Sequence, residues 1–269
     1  LVSVVIPARN AAGTIGLQLD ALCHQDSPVY EVVVVDNGST DGLAGVVSRF
    51  VDRAPDSPIV RLVRCDVPGV NHARNAGVRE STGTYVLLCD ADDIVAPGWA
   101  GAMARCLEQH PLVGGATIPF TTAMDAPGVA ALLREGTPRL PAVDHRLWGL
   151  QTAIGCSLGF HRSLWDRLGG FDTRINGSLD ENEFVFRARL DDVTLTLCPD
   201  ALVAYRRDPS VHKKVRRAYQ EGYNRYLIRR TGIAAGLSRT GIARRRRSTT
   251  SPLSPGTVVG ALARLLGTS

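Results

Sequence analysis

Short apolar runs alternate with longer stretches of helical periodicity through the first 118 residues. Residues 2–6, 31–35, 59–63, 85–89 and 113–118 read as buried-type strands. Between them, 11–23 carries apolar residues at Ile15, Leu19 and Leu22, which is helical spacing, and 41–52, 72–80 and 99–110 read as further helices. Strands and helices at this spacing predict βαβ units and a mostly parallel sheet. Such crossovers are right-handed, so the C-terminal strand ends collect on one edge. After residue 118 the pattern loosens. Residues 119–180 change character: Pro119, Pro127, Pro138 and Pro141 fall among many Gly and Thr, and 119–157 reads as a long loop that shapes an acceptor surface, Trp148 included. A helix from 180 to 189, strands at 193–197 and 201–205, and a helix over Val211–Arg230 complete the expectation. Residues 244–256 read as disordered, and no internal repeat is evident.

The predicted strand ends carry the polar chemistry. Strand one ends in Pro7-Ala8-Arg9-Asn10, strand two in Asp36-Asn37-Gly38-Ser39-Thr40-Asp41, and strand four in Asp90-Ala91-Asp92-Asp93. Ligands bind at this edge of α/β sheets. Three carboxylates in four residues repel one another unless a cation sits among them, and hard oxygen donors suit Mg²⁺ or Mn²⁺. The alternative is a helix N-cap, made by Asp92 or Asp93 ahead of the segment after Pro97. A second acidic group, Asp180-Glu181-Asn182-Glu183, opens a predicted helix, where acids also complement the macrodipole.

Composition adds a charge split. At 44% hydrophobic and 21% charged the chain can bury a full core. Residues 206–247 hold fourteen Lys/Arg against Asp208 and Glu221, so an acidic body carries a basic arm. Nucleic acid is disfavoured as a partner, because the arm lacks zinc-finger spacing, an RNP-type aromatic motif or a basic zipper. Six cysteines without a C-x-x-C pair read as reduced core residues, hence a cytoplasmic protein. The start of the chain reads as a strand with no basic region before it, so no secretory signal is expected. No run approaches the roughly 18 apolar residues of a membrane span. Val258, Val259, Leu262, Leu265 and Leu266 would share one helical face beside the basic run 244–247. That tail is either a peripheral tether to an anionic inner membrane face or a solvated tail.

The order of these motifs is more specific than any one of them. A Pro-x-x-Asn strand end precedes Val-Asp-Asn-Gly-Ser-Thr-Asp and Gly-Val-Asn-His-Ala-Arg-Asn-Ala-Gly. Leu-Leu-Cys-Asp-Ala-Asp-Asp, Gly-Gly-Phe-Asp and Asp-Glu-Asn-Glu-Phe follow. Over roughly residues 1–230 this closely resembles the family 2 glycosyltransferases of GT-A fold, a Rossmann-like mostly parallel sheet flanked by helices, here with a basic helical extension. The resemblance implies an inverting hexosyl- or deoxyhexosyltransferase that moves a sugar from a nucleotide-diphosphate sugar to a glycan, lipid-linked or small-molecule hydroxyl. It implies nucleotide-sugar contacts at Pro7, Ala8, Arg9, Asn10, Asp36, Asn37, Arg74, Asp90 and Ala91. The divalent metal (Mn²⁺ or Mg²⁺) falls to Asp92, with Asp90 on the ribose side and Asp93 behind them. Glu181 takes the position of the catalytic base, with Asp180 as its partner. Residues 1–118 become the nucleotide-sugar half and 119–205 the acceptor and base half, followed by a basic helical extension (206–235) and a flexible tail (236–269). Where the family often carries Asp-Asp, this chain has Asp36-Asn37, and its frequent His near the last strand is replaced around Tyr205. His212 lies too far along to transfer. A sugar nucleotidyltransferase would need a glycine-rich basic loop after strand one, and a dinucleotide oxidoreductase G-x-G-x-x-G. Neither is present. A non-catalytic sugar-nucleotide-binding relic of the fold stays open, because the acid pair is inverted.

Overall fold

A computed structural model describes residues 1–230, apart from 52–57, 122–123, 142, 145–148, 176 and 208–209. The expectations for Trp148, for residues 244–256 and for the apolar tail fall outside them. In chain order the elements are β1 (Val2–Ala8), α1 (Ile15–Cys23), β2 (Glu31–Asp36), α2 (Leu43–Val47), β3 (Ile59–Arg64), α3 (Val70–Glu80) and β4 (Tyr85–Leu88). Next come β5 (Ile94–Val95), α4 (Trp99–Leu107), β6 (Leu112–Thr121), α5 (Ala126–Glu135), β7 (Val143–Asp144) and β8 (Leu150–Gln151). The rest are β9 (Leu158–His161), α6 (Arg162–Leu168), α7 (Asp180–Leu190), β10 (Thr196–Arg207) and α8 (Val211–Arg230).

One eight-stranded sheet runs in the order β3-β2-β1-β4-β9-β6-β10-β5. The β3-β2-β1-β4 half is parallel, as the alternating pattern requires. β9 lies antiparallel between β4 and β6, and β5 antiparallel on β10. β1, β2 and β4 are buried on both faces, which is why they read as unbroken apolar runs. Val4, Ile6, Val32, Val34 and Leu87 pack with α1, α2 and α4 on one face, while Val5, Val33, Val35, Val86 and Leu88 pack with α3, Phe160, Phe171 and Phe184 on the other. Gly77 lets α3 close on the strands, since a Cβ there would lie 2.4 Å from Val5 Cγ1 and 2.8 Å from Val35 Cγ2.

Several expectations change. The region 119–157 is not one long loop, since it contains α5, β7 and β8, and just beyond it β9, which was not expected as a strand, pairs both of its neighbours in the middle of the sheet. Its four residues are too short to show a period, and its strand identity comes from the edges it fills. α2 is shorter than its apolar pattern implied, with Gly42 and Ser48 at its ends and Gly45 at its centre. The two strands expected at 193–205 form one strand, β10, with a register shift between Cys198 and Leu202. Pro199, which lacks an N–H, lies within that shift. The six cysteines are not all reduced: Cys106 on α4 and Cys198 on β10 form a disulfide, with their Cα atoms 6.6 Å apart. Packing of α4 against β10 brings together two residues separated by 92 in sequence, so spacing gave no signal. A reducing compartment therefore no longer follows from the cysteines.

Candidate active site

The β1 and β2 ends are stitched together by short side chains. Asn10, at φ 52°, accepts from Thr40 N at 2.8 Å through Oδ1 and donates its backbone N–H to Ser39 Oγ at 3.0 Å. Asn tolerates this left-handed conformation better than most residues. Asp36 Oδ1 accepts from Ser39 N at 2.8 Å, and Asp41 Oδ2 from Ala12 N at 2.8 Å. Pro7 is half-buried, Ala8 buried and Arg9 exposed. Asn37 is buried and saturated: its amide donates to the Cys65 and Val67 carbonyls, and its Oδ1 accepts from Gly69 N. Asn37 therefore braces the loop ahead of α3 and has no amide hydrogen left over for a base edge.

Side chains of α3 secure the segment that leads to α7. Asn75 donates to the Phe171 carbonyl and accepts from the Phe171 N–H, both at 2.8 Å. Asn71 donates to the carbonyls of Asp172 and Ile175, both at 2.9 Å. At the other end of that segment Leu179, at φ 60°, turns the chain into α7. Arg74 lies one helical turn from Asn71 and is buried at 3% exposure. Its Nη1 stands 3.1 Å from Asp180 Oδ2 and 4.0 Å from Glu181 Oε2. Glu181 Oε1 accepts from Asn182 Nδ2 at 2.8 Å, and Asn182 Oδ1 accepts from Ala153 N at 2.8 Å. Gly155 makes room for the guanidinium, because a Cβ there would lie 2.4 Å from Arg74 Nη2.

Two neighbouring acids are thus driven apart in acidity. Burial by itself would raise Asp180, but Arg74 and the hydrogen bonds around Glu181 outweigh it and bring the carboxyl down to about 2. Burial, then the Asp180 charge and its hydrogen bond, hold Glu181 well above the ordinary glutamate value, with Arg74 offsetting only part. A helix N-terminus by itself would favour the ionised form of Glu181, and these larger effects reverse that direction. Pairs split in this way mark acid and base assignments.

The acid loop after β4 shows the same crowding. Burial pushes Asp90 up to about 6, with Arg74 pulling back and Asp92 and Asp180 adding to the rise. Asp93 is 1% exposed, and burial, Asp90 and Asp92 raise it well above the carboxylate range. Its Oδ1 accepts from Arg206 N at 2.6 Å, while its buried Oδ2 has no hydrogen bond of normal geometry. Asp90, Asp93 and the Cys156 sulfur offer ligand atoms within 4.8 Å of one another. Asp92 is exposed at the rim, its backbone carbonyl accepting from Arg206 Nε at 2.7 Å. An excess of crowded carboxylates with one orphaned oxygen fits a hard divalent cation. Cys156 fits it poorly, since burial pushes its thiol up and keeps it protonated. Asp93 and Cys156 join this cluster although the motif pattern pointed to Asp92 and Asp90. The alternating burial of a turn, which a linear motif does not display, decides which acid faces inward. His212 is exposed and outside the cluster.

The family model described as Glycosyl transferase family 2 matches residues 3–169. The chain is 34% identical over 95 residues to the uncharacterized glycosyltransferase YibD of Escherichia coli (strain K12), an alignment covering 35% of this chain and 27% of that protein. Among solved structures, S. aureus TarS 1-349 in complex with UDP-GlcNAc superposes with a TM-score of 0.65 at 19% identity, covering 98% of this chain and 71% of that one. The mannosyltransferase PcManGT from Pyrobaculum calidifontis, in complex with GDP-Man and Mn²⁺, gives 0.62 at 22% identity, covering 100% and 80%. At these identities the structural likeness shows the fold, which is GT-A.

Proposed function

The chain belongs to glycosyl transferase family 2, and from that premise we propose that it is an inverting glycosyltransferase acting on a nucleotide-diphosphate sugar. The observation that carries this reading is the meeting of Asp90, Arg74, Asp180 and Glu181, drawn from three separate motifs, at the C-terminal edge of the parallel strands. The donor lies along Pro7, Ala8, Arg9, Asn10, Asp36 and Ala91, with Asn37 shaping the loop around it. Residues 1–118 form this donor half and 119–205 the acceptor half. UDP-GlcNAc and GDP-Man in the two structural neighbours support a nucleotide sugar without choosing its base.

Glu181 is the base. Burial and the Asp180 charge raise its proton affinity above that of an ordinary glutamate, which makes it the stronger proton acceptor of the pair. Asp180 stays ionised and holds Arg74, which limits the rise at Glu181. Asp92 and Asp90 hold the divalent cation, as the charge crowding there supports, and Asp93 supports them from behind. A bound Mg²⁺ or Mn²⁺ supplies charge neutralisation for the leaving diphosphate. The acceptor oxygen attacks the anomeric carbon opposite the diphosphate, so one displacement inverts the configuration. Acceptor contact at an anionic lipid surface is consistent with α8, which exposes Val211, Val215, Tyr219, Tyr223 and Tyr226.

A thermal-shift panel of UDP, GDP, TDP and CDP sugars, with and without Mn²⁺, tests this reading. At least one donor is expected to stabilise the protein in a Mn²⁺-dependent way and to be hydrolysed slowly without acceptor. Asp92→Ala should lose both effects while remaining folded. If no donor stabilises the wild type, the reading is wrong; if Asp92→Ala keeps full Mn²⁺ dependence, the metal assignment is wrong.

A further inference from the structure

The last sheet strand brings an arginine from outside the family-matched segment to the edge of the site. Arg206 is tied to the acid loop by its backbone N–H to Asp93 Oδ1 and by Nε to the Asp92 carbonyl. Its neighbour Tyr205 is therefore fixed beside that loop. Across from it, Arg217 of α8 donates Nη1 to Tyr205 Oη at 2.8 Å. The helix that carries Arg217 is held in place: Ile228 is fully buried, and Asn224 Nδ2 donates to the Ser178 carbonyl at 2.6 Å, two residues before Asp180. α8 thus spans from the start of α7 to the acid loop. The Arg217 charge is felt at both ends, by Asp90 and by Glu181.

We propose that Arg217 is the cation that grips the leaving diphosphate of the donor, with the Tyr205 hydroxyl as its resting partner. This rests on the donor reading above and adds a residue that none of the matched motifs contains. Two arguments support it. The body is acidic, and a nucleoside diphosphate brings more negative charge than one divalent cation neutralises, so a further cation is needed at the mouth. A guanidinium fork matches phosphate oxygens, and a charged oxygen outcompetes a neutral phenol for its N–H groups. As the bond from the anomeric carbon to the diphosphate oxygen breaks, the electron pair moves onto the diphosphate. Arg217 donates hydrogen bonds to that growing charge, while the acceptor oxygen bonds the anomeric carbon and its proton passes to Glu181.

The test is calorimetric binding of nucleoside diphosphates and the matching monophosphates (uridine, guanosine, cytidine, thymidine and adenosine) with Mn²⁺, to wild type, Arg217→Ala, Arg217→Lys and Tyr205→Phe. Arg217→Ala is expected to weaken the preferred diphosphate by about tenfold or more while changing the monophosphate by less than about twofold. Lys should restore part of the loss, as a point charge without the fork. Tyr205→Phe should keep the preference for diphosphate. Equal losses for di- and monophosphate, or no loss, would overturn the role of Arg217, as would a loss in Tyr205→Phe matching that of Arg217→Ala. If wild type binds no nucleoside diphosphate at all, the donor reading itself falls.

Discussion

At the residue scale the central feature is one arginine shared unequally by two acids. Glu181→Gln keeps the shape but removes the proton acceptor. Turnover should fall by about 10²-fold or more with donor binding intact, as read by kcat against donor affinity. Asp180→Asn acts differently, because it removes the closest counter-charge of buried Arg74. A stability loss of about 3 kcal/mol is expected in urea denaturation, together with a shift of the acidic limb of the pH–rate profile to lower pH, since Glu181 loses its nearest negative neighbour. If Asp180→Asn abolishes turnover while Glu181→Gln does not, the two roles are exchanged. The same pair makes a statement about pH and folding. Glu181 binds its proton more tightly folded than unfolded, so stability should fall as pH rises from about 4.5 towards its raised value. Asp90, raised to about 6, adds to that slope. Asp180 works in the opposite sense: its contribution is complete above the ordinary aspartate value and is lost as pH falls from 3.8 to about 2. Denaturation across pH 4–8 should show the decline, and a slope unchanged by Glu181→Gln would count against the raised Glu181.

At the element scale, the amides of α3 position the site without entering the chemistry. Asn71 and Asn75 hold the backbone from Phe171 to Ile175, and that segment sets where Leu179 turns the chain into α7. Asn75→Ala leaves a buried backbone N–H and C=O unpaired, a loss of about 1–3 kcal/mol. Because the proposed base, Glu181, would be displaced with the loop, kcat should fall more than donor affinity. A variant that loses stability yet keeps wild-type kcat would show that α7 holds its place without this brace. β9 has a comparable role from the other side: it fills the middle of the sheet and delivers Gly155, Cys156 and Ser157 to the site. Ser157 accepts from Trp99 Nε1 at 2.9 Å, which ties that turn to α4.

At the scale of the whole molecule, the basic arm begins with a helix that is half core and half surface. Ile228 and Asn224 face inward, while Tyr219 is 80% exposed in line with Val215, Tyr223 and Tyr226. Basic residues flanking a tyrosine stripe suit the interface of an anionic bilayer, and no helix among the described residues is long and apolar enough to cross one. Sedimentation at low salt should show the chain pelleting with anionic but not neutral vesicles, and losing most of that binding when Tyr219, Tyr223 and Tyr226 are changed to Ser. Failure to pellet with anionic vesicles would favour a soluble acceptor.

Periodicity and strand-end chemistry by themselves determined the parallel half of the sheet and the acid cluster that follows its fourth strand, because a strand buried on both faces and a polar strand end are local signals. The acids at 180–183 were legible as the acidic first turn of a helix, and the roles proposed for Asp180 and Glu181 come from the family resemblance. What the tertiary structure decided depends on packing between distant segments. It showed that Asn37 is saturated by the loop at 65–69, that Asp93 turns inward while Asp92 turns out, and that Glu181 is raised where a helix N-terminus alone would lower it. The Cys106–Cys198 bond, the placement of β9 and the reach of Arg217 to Tyr205 are of the same kind. Burial and the field of neighbouring charges set each of these, and both are properties of three-dimensional distance that residue spacing does not carry.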